Sequence, residues 1–320
     1  MPSLSCAVIG DGELPGELGR LGSHSDIALY NRRVDDLILS FVAPLTFPEK
    51  IQSLLTAIQM AHAAIVVVRE VTPALGEAIV ALDSLNVTQG LIVLDGAVKE
   101  QVTPLIKGTA LEGYGFCEKT YASIIPEVMK MKAAREEGAL RLPIDHFFLT
   151  KTVGTVAIGR VERGVIGIHD RVLILPPGKE AVVKSLQSQD ENVREAGCGV
   201  RAGVALKGVD ADELERGYII AHEKDGYRVG CTVSGSFKVS PFFRESLKTG
   251  QKVLATIGLQ TEAAVVTEVE TGGVLERGGS ARITFETDTG KELVHEPGEP
   301  FILTRPEVKG LRIVGAGTAG

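Results

Sequence analysis

Residues 7–22 read AVIGDGELPGELGRLG, an apolar run that enters a glycine-rich loop. A strand followed by such a loop can cradle a phosphate on its backbone amides. The side chains here oppose that chemistry. Asp11, Glu13 and Glu17 are acidic, no basic residue precedes Arg20, and Pro15 has no amide proton to give. A phosphate loop of the form G-x-x-x-x-G-K-[ST] uses its Lys on the β and γ phosphates and its hydroxyl on Mg²⁺. Gly10, Gly12 and Gly16 are in the right neighbourhood, but Glu17 follows Gly16 where that Lys would stand. Each carboxylate–phosphate pair at ~4 Å costs about 4 kcal/mol at an effective dielectric of ~20. The loop therefore reads as the remains of a phosphate site. No Ser-His-Asp set, paired carboxylates or metal-binding helix accompanies it.

The elements that hold this loop alternate. Apolar runs at Leu4–Ile9, Leu37–Val42, Ala64–Val68 and Leu91–Leu94 read as strands. Helical i, i+3, i+4, i+7 spacing appears at Ile51, Leu54, Leu55 and Ile58, then at Leu75, Ala78, Ile79 and Leu82, and again at Tyr121, Ile124, Ile125 and Val128. Pro48 and Pro73 each suit a first helical turn. The pattern predicts a mostly parallel sheet covered by helices. "MKAAREEGALRLP" reads as a charged helix end stopped at Gly138, followed by a linker. From about Leu140 short β-rich runs take over and suit small barrels, with "DADELERG" as a single helical turn or loop. "EKDGY" separates two such sets. The expected domains are 1–138, 139–224 and 225–320.

Bulk composition narrows the classes. The 320 residues are 44% hydrophobic and 23% charged, ordinary for a globular chain. A net charge of −7 gives no general basic face, so RNA contact needs a local patch and DNA is not expected. Cys6, Cys117, Cys198 and Cys231 lie outside metal-ligand spacing of one another, and the six histidines are scattered. Metal is therefore not expected, and the thiols suit a reducing cytosol. No apolar stretch reaches membrane-span length and no signal pattern opens the chain, so the location expected is cytoplasmic.

"VGTVAIGRVERGVIGIHDRVLIL" (Val153–Leu175), continued by "GVRAGVALKGVDADELERGYII" (Gly199–Ile220), resembles the second domain of elongation factor Tu and its relatives. The barrel ending in "GLRIVGAG" is similar to the third domain of that family. The first 138 residues share only its order and architecture. Within the family, "LGRLGSHSDIALYN" (Leu18–Asn31) resembles the archaeal selenocysteine-factor-like (SelB-like) group, which includes the proposed pyrrolysine elongation factor. The resemblance implies a P-loop-NTPase-like α/β domain followed by two β-barrels, and a role in translation.

It also implies what is missing. The family's Mg²⁺- and water-positioning D-x-x-G would follow the third strand, where this chain reads "FVAPLTFP" (Phe41–Pro48). Its guanine-reading N-K-x-D would follow "GLIVLD", where Asp95 is present but the Asn-Lys pair is not. Gly10, Gly12, Gly16 and Asp95 thus form a vestigial nucleotide site. No cofactor is expected, and GTP or GDP with Mg²⁺ belongs to the alternative reading of a GTPase with an altered site. A second alternative is a non-catalytic scaffold that docks on the ribosome or another factor.

The family lays the 3′ end of aminoacyl-tRNA on its second domain. By resemblance, Asp145, His146 and Phe148 in "PIDHFFL" and Arg201 in "VRAGVALKG" occupy the acceptor-end positions. Arg201 stands where Asn is usual, and Ile158 where Thr is common. His146 and Arg201 would make the pocket basic and suited to an anionic group, and Phe148 would stack on the terminal adenine. Each has a plainer alternative: Phe148 in the barrel core, His146 as a surface strand residue, Arg201 paired with Glu195 or another acid. Arg160, Arg163, Arg228, Lys238 and Arg244 are candidate phosphate contacts. The expected partners are a tRNA or specialised aminoacyl-tRNA, and the ribosome.

Overall fold

The computed structural model describes residues 3–133 and 137–320. The first unit runs β1 (Ser3–Ile9), α1 (Leu14–Leu18), β2 (Arg20–His24), β3 (Ile27–Val34), β4 (Leu37–Pro44), α2 (Ile51–Gln59), β5 (Ala63–Val68), α3 (Pro73–Ser84), β6 (Gly90–Leu94), α4 (Lys99–Ile106), β7 (Gly115–Glu118) and α5 (Tyr121–Val128). Its seven strands lie in the order β2-β3-β4-β1-β5-β6-β7. The pairs from β4 to β7 are parallel, and β2 and β3 add an antiparallel edge.

Alternation along β1 sets the layers. Leu4, Cys6 and Val8 pack with α1 and α5, while Ala7 and Ile9 pack with α2, α3 and α4. The loop after β1 therefore leads to one face, and the loops after β4 and β5 lead to the other. A crevice forms where neighbouring connections part in this way. Beside it, the Thr72 hydroxyl caps α3 by accepting from the Leu75 amide at 3.1 Å, and Pro73 opens the helix.

Two sequence expectations need correction. Pro48 lies in the turn before α2, whose first residue is Ile51 with Lys50 as cap. The last helix ends at Val128 and not at Gly138, because Met129 and Lys130 close it with a turn. Residues 134–136 of the expected charged helix end lie outside the described residues.

The rest is two closed six-stranded barrels. The first contains β8 (Leu142–Thr150) and β9 (Gly154–Arg160), with strands Arg171–Leu175, Lys179–Ser188, Arg201–Lys207 and Ile219–Ala221. "DADELERG" holds one 3₁₀ turn at Ala211–Glu213, the first of the two alternatives the sequence left open. The second barrel ends in strand Ile313–Ala319, which closes it against Thr232–Val239. The fold class expected from the sequence is thus the one observed. Ile302 and Ile313 of the second barrel share an apolar cluster with α2 and α3, so that barrel is seated on the α/β unit.

Two glycines are required by close approach. A Cβ on Gly159 would stand 2.1 Å from the Pro143 carbonyl of β8. Gly10 has φ +91°, and a Cβ there would stand 2.3 Å from the Val67 carbonyl. Gly10→Ala is expected to lower stability by at least about 1–3 kcal/mol from backbone strain alone, read as a shifted urea midpoint. A variant as stable as the wild type would mean that β1 and β5 do not meet so closely.

Candidate functional site

Two places gather the expected site residues. At the first, Gly10 and Gly12 line a cleft of about 420 Å³ with Leu45, Phe47, Thr72 and Leu75. It is the crevice at the carboxyl ends of β1, β4 and β5. Gly16 lies apart, inside α1 and against the Tyr30 ring. Asp95 follows β6.

The loop's own carboxylate fills the role of an anion. One Asp11 oxygen accepts the amides of Glu13 and Leu14 at 2.7 and 2.8 Å. The other takes Lys119 Nζ at 2.6 Å and Arg69 Nη2 at 3.1 Å. The same two cations reach Asp95, at 3.3 and 2.7 Å. The Asp11 side chain is 1% exposed. Burial alone would raise its pKa, but Lys119 and the two amides hold it below the ordinary carboxylate range. Lys119 is held upward chiefly by its bond to Asp11. Two acids and two bases leave this cluster neutral. A triphosphate held by these groups would have to displace the Asp11 carboxylate from those amides and cations.

Sequence reasoning missed Arg69 and Lys119. Both follow strands, Arg69 at the end of "AAIVVV" and Lys119 after β7, and the parallel sheet brings such positions together. β7 is only four residues long, half-exposed and only weakly apolar, so its pattern did not declare it.

The second place is the seam between the α/β unit and the first barrel. A register shift falls between Ile144 and His146, so Asp145 sits at a β-bulge. Its carboxylate is buried and takes Arg201 through Nε at 3.1 Å and through Nη2. His146 Nδ1 stands 2.9 Å from the same carboxylate, and its Nε2 stands 3.3 Å from Ser25 Oγ across the seam. Burial pushes the Asp145 pKa up, but the Arg201 charge and His146 bring it below the ordinary value. The expected basic pocket is therefore a neutralised seam, because Arg201 is spent on Asp145. The space left there is only about 20 Å³.

Phe148 lies close by in sequence but outside the barrel core, at 46% exposure. Phe147 and Leu149 beside it are 36% and 71% exposed. Of the expected phosphate contacts, Arg163 is paired with Glu296, Arg160 stands against His62, and Arg228 donates to the Gly320 carbonyl. Lys238 and Arg244 are exposed and have no ion-pair partner among the described residues. Also among the described residues, no group of His, Cys, Asp and Glu could hold a metal, and no helix is long and apolar enough to cross a membrane.

Comparison with known proteins fits this geometry. A family model, elongation factor Tu domain 2, matches residues 154–221. An uncharacterised protein of Methanocaldococcus jannaschii, MJ0325, is 31% identical over 320 residues, 99% of each chain. The selenocysteine-specific elongation factor of the same organism is 37% identical over 127 residues, 40% of this chain and 27% of that one. Residues 154–221 therefore belong to the elongation factor Tu domain 2 family. The crystal structure of the translation elongation factor SelB of Methanococcus maripaludis in complex with the GTP analogue GppNHp shares the fold. It superposes with a TM-score of 0.83 at 22% identity, over 99% of this chain and 78% of that one.

The seam also carries a titration. Two bonds at 2.7 and 2.8 Å tie Asp26 to Arg216. Those bonds, against the burial that opposes them, bring the Asp26 pKa from 3.8 to about 2. A carboxyl depressed on folding contributes stability above its unfolded pKa and loses it as pH falls through its folded pKa. The difference in Tm between wild type and Asp26→Asn is expected to be full above about pH 4 and to close toward about pH 2. A difference constant across that window would contradict the pairing.

Proposed function

We propose that this chain is a translation factor that binds a tRNA or a specialised aminoacyl-tRNA and acts at the ribosome, in the cytoplasm, with no nucleotide cycle of its own. One observation carries the reading. β8 presents Phe147, Phe148 and Leu149 to solvent directly beyond the buried Asp145 and its half-buried partners Arg201 and His146. Three successive exposed apolar side chains on a barrel strand cost hydration unless something covers them. Exposed aromatic rings suit unpaired bases, which stack on them. Lys238 and Arg244, exposed and without an ion-pair partner among the described residues, add cations for phosphates.

Within the family we place the chain in the archaeal SelB-like group that includes the proposed pyrrolysine-specific factor. The match to the archaeal selenocysteine-specific factor supports this. The first domain serves as a docking unit, since Asp11 already occupies the amides and cations that a phosphate would need.

Phe148→Ala is expected to weaken binding of a tRNA acceptor stem with a free 3′ end by at least about fivefold, from one lost base stack. Affinity measured across a salt series should also fall as salt rises. Unchanged affinity in Phe148→Ala, or binding indifferent to salt, would overturn this placement. Comparing aminoacylated with free tRNA tests whether the acceptor group is read.

A further inference from the structure

A second cavity, of about 420 Å³, opens where the α/β unit and both barrels meet. Sites for small molecules span about 300–1,000 Å³, so it has room for one. His62 lines it from the α/β unit. Arg160 and Glu162 line it from the end of β9, Arg141 from the entry to the first barrel, and Glu296 and Glu299 from the second barrel.

Arg160 is short of an acceptor. Its Nη1 stands 2.9 Å from Nδ1 of His62, a ring nitrogen that already takes the Ser5 amide at 3.0 Å. Burial, and then the Arg160 charge, bring the His62 pKa from 6.5 to about 3, so the ring is neutral and gives Arg160 no counter-charge. Among the described residues its one carboxylate neighbour is Glu162, whose Oε1 lies 3.8 Å from Nη2, beyond hydrogen-bond distance. The gap is held from both sides. Glu162 Oε2 accepts from Nε of the buried Arg141 at 2.9 Å, and Arg160 rests on His62. The Arg160 and Glu162 side chains are 16% and 32% exposed, so both ends of the gap are open to a small molecule. Arg141 Nη1 is also without a hydrogen-bond partner among the described residues, 3.7 Å from Glu296. Two guanidiniums at this junction thus keep an unmet donor.

Charge decides what fits. Arg141, Arg160 and Arg163 balance Glu162, Glu296 and Glu299. A simple anion on Arg160 would lie against Glu162, and a simple cation on Glu162 would lie against Arg160. A molecule with a carboxylate and an ammonium on one carbon meets both groups by charge-assisted hydrogen bonds. We infer that the cavity binds a free α-amino acid as its zwitterion, with the carboxylate on the Arg160 fork and the ammonium on Glu162 Oε1. Arg160 and Glu162 also wall the narrow space beside Asp145. An amino acid esterified to tRNA has lost the carboxylate that Arg160 takes, so the ligand is the free amino acid and not an acceptor end.

The test is a ligand-observed NMR titration of the full chain with glycine and with L-alanine at millimolar concentration. Acetate, methylammonium, 4-aminobutyrate and inorganic phosphate are titrated beside them, each lacking one of the two charges or their spacing. Saturable binding of both amino acids is expected, about tenfold tighter than any of the other four. Arg160→Gln is expected to weaken glycine binding by about tenfold, for one lost charge-assisted pair. Any of the other four binding as tightly as glycine would overturn the inference. So would the lack of saturable binding of either amino acid, or unchanged glycine binding in Arg160→Gln. Should that variant not fold, the ranking of ligands on the wild type decides alone.

Discussion

A carboxylate removed from water must have a cation or several hydrogen-bond donors beside it, or it takes up a proton. Asp11, Asp145 and Glu77 are all buried, and each is met by a cation: Lys119, Arg201 and Arg312. That requirement acts at three places in the molecule. It draws the ends of β5 and β7 to the loop after β1, draws the seam around a β-bulge, and seats the second barrel on α3. The same pairing removes chemistry. A cation bound to a buried carboxylate is not free for phosphate, and a loop amide bonded to Asp11 is not free for an oxyanion.

What remains available lies on the barrels. Their walls are built by alternation, with one side chain in and the next out, as in "GTVAIGR" of β9. β8 departs from this after its bulge, and three apolar residues follow in solvent. A change of face at a bulge is a local feature of the backbone. It leaves the barrel intact and converts one strand end into a surface that can be covered.

The fold was legible because long periodic segments leave few alternatives. In the α/β unit, β1, β4, β5 and β6 and the three helices with i, i+3, i+4, i+7 spacing lie where the apolar pattern put them. β2, β3 and β7 were not legible, for a physical reason. β2 is an exposed edge and β7 a short one, so neither shows a buried face, and β3 mixes Tyr30, Asn31, Arg32 and Arg33 along half its length. Pro48 misled because proline suits a turn as readily as a first helical turn. At the site, Asp145, His146 and Arg201 came together, but residue type alone did not reveal that the first neutralises the third. Their pairing depends on a strand register, between β8 and Arg201–Lys207 across β9, that only the closed barrel sets.

A first domain that works without a nucleotide is the consequence on which the functional reading rests. It is open to calorimetric titration of the purified chain with GTP and with GDP, in Mg²⁺ and up to millimolar concentration. With Asp11 holding the loop amides and its lysine, no heat of binding is expected for either nucleotide. Clear micromolar binding would mean that Asp11 leaves those partners, and that the protein is a nucleotide-switched factor after all.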